Sequence, residues 1–103
     1  MKINLSIIVP VYNAKKTLVS CLRSINNQIL KSDLSIEVLI IIDDGKKYEN
    51  IIPKMKKGIQ VRIFKTHGIK TGPGNARNVG IKKAKGMYIG FLDADDEWSK
   101  NYL

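Results

Sequence analysis

The sequence predicts an α/β domain, a parallel sheet with flanking helices, and three observations predict it. Near-continuous runs of apolar and β-branched residues recur along the chain, as strands buried on both faces require. Segments of helical character separate these runs. No internal repeat, linker or low-complexity tract divides the 103 residues, a length suited to one domain.

INLSIIVPVYN opens with a strand expected over 3–9, ended by Pro10. Asn13 is placed to cap a helix over 14–28, in which Leu18, Cys21, Leu22 and Ile25 recur at three and four residues and make one apolar stripe. KSDLS is a turn, and IEVLIIIDDG repeats the first pattern with a strand over 36–42. Apolar residues at 48, 51, 52 and 55 fit a short helix over 48–55, weakened near its end by Pro53. Gly58 precedes a third strand over 59–64, IQVRIF. THGIKTGPG is Gly-rich and expected to be flexible without a ligand. The second main helix, over 75–84, turns Ala76, Val79 and Ala84 inward and Lys82 and Lys83 outward, and Gly86 stops it. MYIGFL supplies a fourth strand over 87–92. Strands and helices in this alternation predict a Rossmann-like fold.

The charge balance is strongly basic: 18 Lys and Arg against 9 Asp and Glu give a formal +9 at pH 7. Such a surface attracts nucleic acid or an anionic membrane face. No aromatic-basic interleaving or reader motif accompanies the lysines, so a solvated surface is the plainer reading and no nucleic-acid partner is expected. Cys21, the only cysteine, lies in the helical stripe and reads as a small buried hydrophobe in a reducing compartment. The apolar run over 5–11 is short and broken by Pro10, without a processing site, and no run approaches the roughly 20 apolar residues of a membrane span. The expected location is the cytoplasm, with a peripheral membrane contact left open.

The acids are gathered instead of scattered. Asp43 and Asp44 follow the second strand; Asp93, Asp95 and Asp96 follow the fourth. Parallel strands end at one edge of a sheet, and ligands bind in the crevice there, so the two groups can meet across fifty residues of sequence. Like charges this close repel unless a cation or hydrogen-bond donors offset them. A hard divalent ion with a polyphosphate supplies that offset through oxygen ligands. Asp93 and Asp95, one small residue apart, allow one carboxylate to reach a metal and the other a ribose hydroxyl. Gly72, Gly74 and the following helix N-terminus bring backbone N–H groups near an anion, or form a plain helix-entry loop. GPGNAR lacks the GK[ST] ending of a Walker loop.

PVYNAKKTL, LIIIDDG, GPGNARNVGIKKAKG and YIGFLDADD, in this order and spacing, resemble the N-terminal nucleotide-sugar-binding half of the family 2 glycosyltransferases with the GT-A fold. The resemblance covers nearly the whole chain. It implies that Pro10, Val11 and Tyr12 form the first loop that touches the nucleotide base, the Tyr12 ring offering a stacking surface. It implies that Asp44 is the carboxylate that hydrogen-bonds uracil, and that Arg77 is a basic residue near the nucleotide. Asp93 and Asp95 match the ends of the DXD motif. Asp95 is then the metal ligand and Asp93 the contact to ribose or nucleotide, with Mg2+ or Mn2+ bridging Asp95 and the diphosphate. The implied partners are a nucleotide diphosphate sugar, a UDP-sugar first among them, and a saccharide or lipid-linked acceptor, with transfer by single displacement and inversion. The chemistry agrees: a leaving nucleoside diphosphate gains negative charge, which a divalent cation stabilises, and an Arg offers planar donors to phosphate.

The chain departs from the family in two places. After DDG, relatives continue with Ser and polar turn residues, whereas Gly45 is followed here by Lys46, Lys47 and Tyr48; the two lysines either reach phosphate or are simply solvated. Acceptor-binding residues and the general base lie beyond the DXD segment in this family, so no catalytic residue is assigned, and Asp96 and Glu97 are too close to the metal motif to be nominated. Residues 1–103 therefore read as the N-terminal, donor-binding part of a glycosyltransferase domain, ending after the DXD segment. Two rival classes fit parts of the same sequence: a metal-dependent phosphotransferase or nuclease, and a basic nucleic-acid-binding module. His67 reads as incidental, and Trp98 as either a sugar-pocket wall or a cap over the sheet edge.

Overall fold

The computed structural model describes residues 2–28, 34–99 and 102. Four strands, β1 (Leu5–Val11), β2 (Ile36–Ile42), β3 (Ile59–Lys65) and β4 (Tyr88–Phe91), form one sheet in the order β3-β2-β1-β4, every pair parallel. Helices α1 (Leu18–Asn26) and α2 (Pro73–Lys83) complete it. This is the expected Rossmann-like α/β arrangement. The KSDLS turn falls largely at 31–33, outside the described residues.

Every residue of β2 is buried, which its position between β1 and β3 and its apolar run, broken only by Glu37, explain. Odd and even positions of the strands feed two cores. Ile7, Val9 and Val11 pack with the α1 stripe of Leu18, Cys21, Leu22 and Ile25, while Ile8, Leu39 and Ile41 pack with Ala76 of α2. The one acid inside β2, Glu37, is fully buried and fully satisfied. It accepts from Ser6 Oγ at 2.6 Å, the Lys85 N–H at 2.7 Å and Arg62 Nη1 at 2.9 Å. Among the described residues no helix is long and apolar enough to cross a membrane.

Several element boundaries differ from expectation, each for a local reason. Pro10 does not end β1; it sits inside the strand, which runs to Val11. Ile8 accepts from the Leu92 N–H, so Ile8 and Pro10, two apart, point their main-chain polar groups toward β4. Pairing with β4 stops at the Ile8–Phe91 position, so Pro10 occupies a site where the sheet asks for no donor. Asn13 does not cap α1 either. It adopts φ 50°, and its side-chain oxygen accepts from Lys46 Nζ, while α1 begins later, after a turn in which Leu18 N–H bonds the Ala14 carbonyl at 2.9 Å. The helix expected over 48–55 shrinks to one 3-10 turn, Glu49–Ile51. Ile52, preceding Pro53, is held extended at ψ 119°, as a residue before proline prefers.

The helix expected at 75–84 starts two residues sooner, with Pro73 in its first turn, where a missing N–H costs nothing. Gly86 is needed for close approach, not as a left-handed stop. A Cβ there would lie 2.6 Å from Ser6 Oγ, 2.7 Å from Ser6 N and 2.9 Å from the Leu5 carbonyl carbon. Because two of those atoms are backbone, Gly86→Ala is expected to cost about 2–3 kcal/mol in chemical denaturation. Gly74→Ala, with open space around it, should be neutral or mildly stabilising. Equal midpoints for the two variants would contradict this account of Gly86.

Candidate functional site

The sheet order places a switch point between β1 and β4: the chain moves outward from β1 through β2 to β3, then returns to the other side of β1. Crevices at the carboxyl ends of strands form at such points. A cavity of about 540 Å³ lies there. The exit of β1, Pro10 to Ala14, forms one wall; Asp93, Ala94 and Asp95 form another; Lys70, Gly72 and Pro73 close a third with Asp43. Pro10, Val11, Tyr12, Asp93 and Asp95 are thus brought together. Tyr12 is 43% exposed, leaving its ring free to meet a ligand.

Asp43 and Asp44 part company at the end of β2, as neighbours in extended chain do. Asp43 faces the cavity and Asp44 does not line it. The Asp43 carboxylate accepts from Thr66 Oγ1 at 2.7 Å, Thr71 Oγ1 at 2.7 Å, Thr71 N–H at 3.0 Å and Gly72 N–H at 2.9 Å. The loop expected to move without a ligand is therefore fastened to β2, and the Gly72 N–H is already spoken for by a carboxylate. Lys70, at φ 56°, adds a main-chain bond to the Asp43 carbonyl at 2.6 Å. Asp44 instead accepts from the N–H of Asn13 at 2.8 Å, the N–H of Lys46 at 2.9 Å and the Tyr48 hydroxyl.

The acids after β4 divide as well. Asp93, Asp95 and Asp96 offer carboxylate oxygens within 4.8 Å of one another, all on exposed residues. Asp95 faces the main cavity, Asp96 and Glu97 line a neighbouring hollow of about 290 Å³ with Arg77, Phe91 and Trp98, and Asp93 borders both. Arg77 lies outside the main cavity and reaches it through Asp93, its Nη2 standing 3.3 Å from Asp93 Oδ1. Trp98 stacks on Tyr102 at 4.5 Å. His67 lines a separate groove with Asn75 and Lys82. Lys46 and Lys47 do not line the main cavity; Lys46 Nζ bonds the Asn13 side chain. Cys21 is buried, and that burial, with Asp96 adding to it, pushes its thiol up to about 12, so it is inert packing.

An all-oxygen donor set of closely spaced carboxylates fits a hard divalent cation such as Mg2+ or Mn2+ and does not suit a thiophilic one. Sequence reasoning missed Asn13, Ala14 and Lys70 as cavity walls. Lys70 stood inside the Gly-rich loop that had been noted, and its charge in that loop was the available signal.

Burial opposes ionisation of Glu37, Asp43 and Asp44, yet the donors around each outweigh it and hold all three below their ordinary values of 4.5 and 3.8. The leading donors are the hydroxyls of Ser6, Thr66 and Tyr48 respectively. A depressed folded pKa stabilises the fold above the unfolded value, and that stability is lost as pH falls through the folded value. The melting temperature is therefore expected to drop steadily between roughly pH 5 and pH 2. A melting temperature flat across that range would contradict the carboxylate contacts.

The family model for glycosyl transferase family 2 matches residues 6–103. The chain belongs to that family. The amylovoran biosynthesis glycosyltransferase AmsB of Erwinia amylovora is 34% identical over 105 residues, covering 98% of this chain and 34% of its own length. An uncharacterized glycosyltransferase of Haemophilus influenzae is 46% identical over 95 residues, covering 89% of this chain and 36% of its own. The chain thus spans about a third of the length of these curated relatives. Among solved structures, Staphylococcus aureus TarS 1-349 in complex with UDP matches with a TM-score of 0.82 and 29% identity, over 96% of this chain and 29% of that one. The same protein with UDP-GlcNAc gives 0.81 and 29%, over 95% and 28%. These likenesses identify the parallel sheet as the GT-A form of the Rossmann-like fold.

Proposed function

We propose that this chain holds the donor side of a glycosyl transfer, in which a sugar passes from a nucleotide diphosphate sugar, a UDP-sugar first, to a saccharide or lipid-linked acceptor. The observation that carries this reading is the cavity at the β1–β4 switch point, walled by Tyr12 on one side and by Asp93 and Asp95 on the other, in a chain that matches a UDP-bound relative. The intact reaction is read as single displacement with inversion, and this chain's own share as donor binding in the cytoplasm, with a peripheral membrane contact kept as part of the proposal.

Each residue takes a role that its surroundings allow. Pro10 and Val11 shape the wall behind the base, and the exposed Tyr12 ring stacks on it. Asp44 lies behind the cavity wall at Asn13 with three donors in place, and a carboxylate offers about four lone-pair sites, leaving one for the imide N–H of a uracil that reaches past Tyr12 and Asn13. Asp93, steadied by Arg77, accepts from ribose hydroxyls. Asp95 would hold Mg2+ or Mn2+ at the mouth of the cavity. A cation so bound stabilises the charge that develops on the departing diphosphate. Arg77 stands close enough to Asp93 to turn its remaining donors toward phosphate.

Mapping by amide chemical shifts tests the site directly. UDP added with Mg2+ is expected to shift Tyr12, Asn13, Ala94 and Asp95 most and to leave the centre of β2 unmoved. Largest shifts at His67, Asn75 and Lys82, in the separate groove that Lys83 also lines, would overturn the assignment. Family membership removes support from the nuclease and nucleic-acid readings, and no observation on the chain restores it.

A further inference from the structure

We propose that Tyr48 is a positioning residue whose hydroxyl ties Asp44 to the main chain of Asn13 and Ala14 and so sets the cavity's preference for the base of a nucleoside diphosphate. The proposal rests on the donor-site reading above and adds a residue that lies outside the cavity.

Tyr48 is fully buried although it stands in a loop beyond the DDG turn. Its hydroxyl donates to Asp44 Oδ2 and accepts from the Ala14 N–H at 3.2 Å. The same carboxylate oxygen accepts from the Asn13 N–H at 2.8 Å. One phenol and one carboxylate therefore close a ring of hydrogen bonds across three pieces of chain, and two of the groups they hold are consecutive backbone amides of the cavity wall. Asn13 sits in the left-handed region at φ 50°, which asparagine tolerates better than most non-glycine residues and which contacts around it help to hold. The bond from its N–H to Asp44 is one such restraint. Lys15 Nζ, 5.4 Å over the Tyr48 ring, covers the same junction from outside.

Without the phenol oxygen, Asp44 keeps the Asn13 and Lys46 N–H groups but loses one of its three donors, which loosens its orientation, and the Ala14 N–H loses its acceptor. Both changes act on the wall next to Tyr12. A carboxylate in fixed orientation presents an acceptor in one direction, which suits the N3–H of uracil and repels the acceptor N3 of cytosine. A less firmly oriented one discriminates less.

Tyr48→Phe keeps the ring that fills the core and removes only the oxygen. In the ligand-free chain, amide hydrogen exchange is expected to quicken by about tenfold at Asn13 and Ala14 while β2 keeps its wild-type rates. With Mg2+ present, UDP should bind the variant roughly three- to tenfold more weakly, CDP about as it binds wild type, and inorganic pyrophosphate unchanged. The ratio of UDP to CDP affinity then falls toward one. Unchanged exchange at Asn13 and Ala14, or an unaltered UDP to CDP ratio, would overturn the proposal. Exchange that quickens throughout β2 would make Tyr48 an ordinary core residue and overturn it as well. A wild-type chain that binds neither nucleotide would sink the donor-site reading, and the exchange measurement would still decide whether Tyr48 holds the wall.

Discussion

Asp43→Ala is expected to destabilise the domain by about 2–4 kcal/mol. Asp43 is 4% exposed and gathers four donors from the loop between β3 and α2. Removing the carboxylate leaves the N–H groups of Thr71 and Gly72 without acceptors, each costing about 1–3 kcal/mol where water cannot reach fully. For a domain of this size that corresponds to a fall in melting temperature of roughly 10 °C or more. The loop also carries Lys70 and Gly72 into the cavity wall, so nucleotide affinity should fall together with stability. Asp43→Asn should keep part of the stability, since an amide oxygen still accepts while its NH2 faces donors. A loss below about 1 kcal/mol for the alanine variant would show that the loop does not depend on this anchor.

The second large effect concerns metal-assisted binding. Asp95→Ala should lower UDP affinity in the presence of Mn2+ to the value measured with chelator, a loss on the order of tenfold or more. Glu97→Ala serves as the comparison, because Glu97 lines the neighbouring hollow beside Trp98 and stands outside the group of three close carboxylates. It should retain most of the metal-dependent affinity. Calorimetric titration of both variants against UDP separates the two carboxylates. If Asp95→Ala keeps the full metal-dependent affinity, the metal belongs elsewhere.

How much of this was legible in the chain depended on the length scale of the signal. β2 was readable to the residue, because six β-favouring apolar residues around the single Glu37, set between turns, are too short for a helix and fit a buried strand. The fold class followed from the alternation of elements, and the meeting of Asp43 with Asp93 and Asp95 from parallel topology alone. Features that turn on direction were not legible. Asp43 and Asp44 look alike in sequence, and only the pleat of β2 decides which one faces the cavity. Pro10 reads as a strand stop until the neighbouring strand is seen to end short of it. Tyr48 reads as one of a helical set at 48, 51, 52 and 55, since periodicity registers its ring and is blind to its hydroxyl. Asn13 had the chemistry of a helix cap, but the Asp44 and Lys46 contacts claimed its amide and side chain first.

The site owes its form to carboxylates in two different states. Asp43 and Asp44 are buried, surrounded by donors and structural in their effect on the walls. Asp93, Asp95 and Asp96 are exposed and mutually close, with Arg77 against Asp93. Repulsion among them is softened by water in the free chain and is available to a cation. Rigid walls and an open acidic mouth are the division that metal-assisted binding of a diphosphate calls for.

The most direct test is a calorimetric titration of UDP into the folded chain, first with Mn2+ and then with excess chelator. Donor binding at the β1–β4 cavity predicts saturable binding with one nucleotide per chain that weakens strongly when the metal is removed. No binding in a sample whose melting transition shows it to be folded, or binding indifferent to the metal, would contradict it.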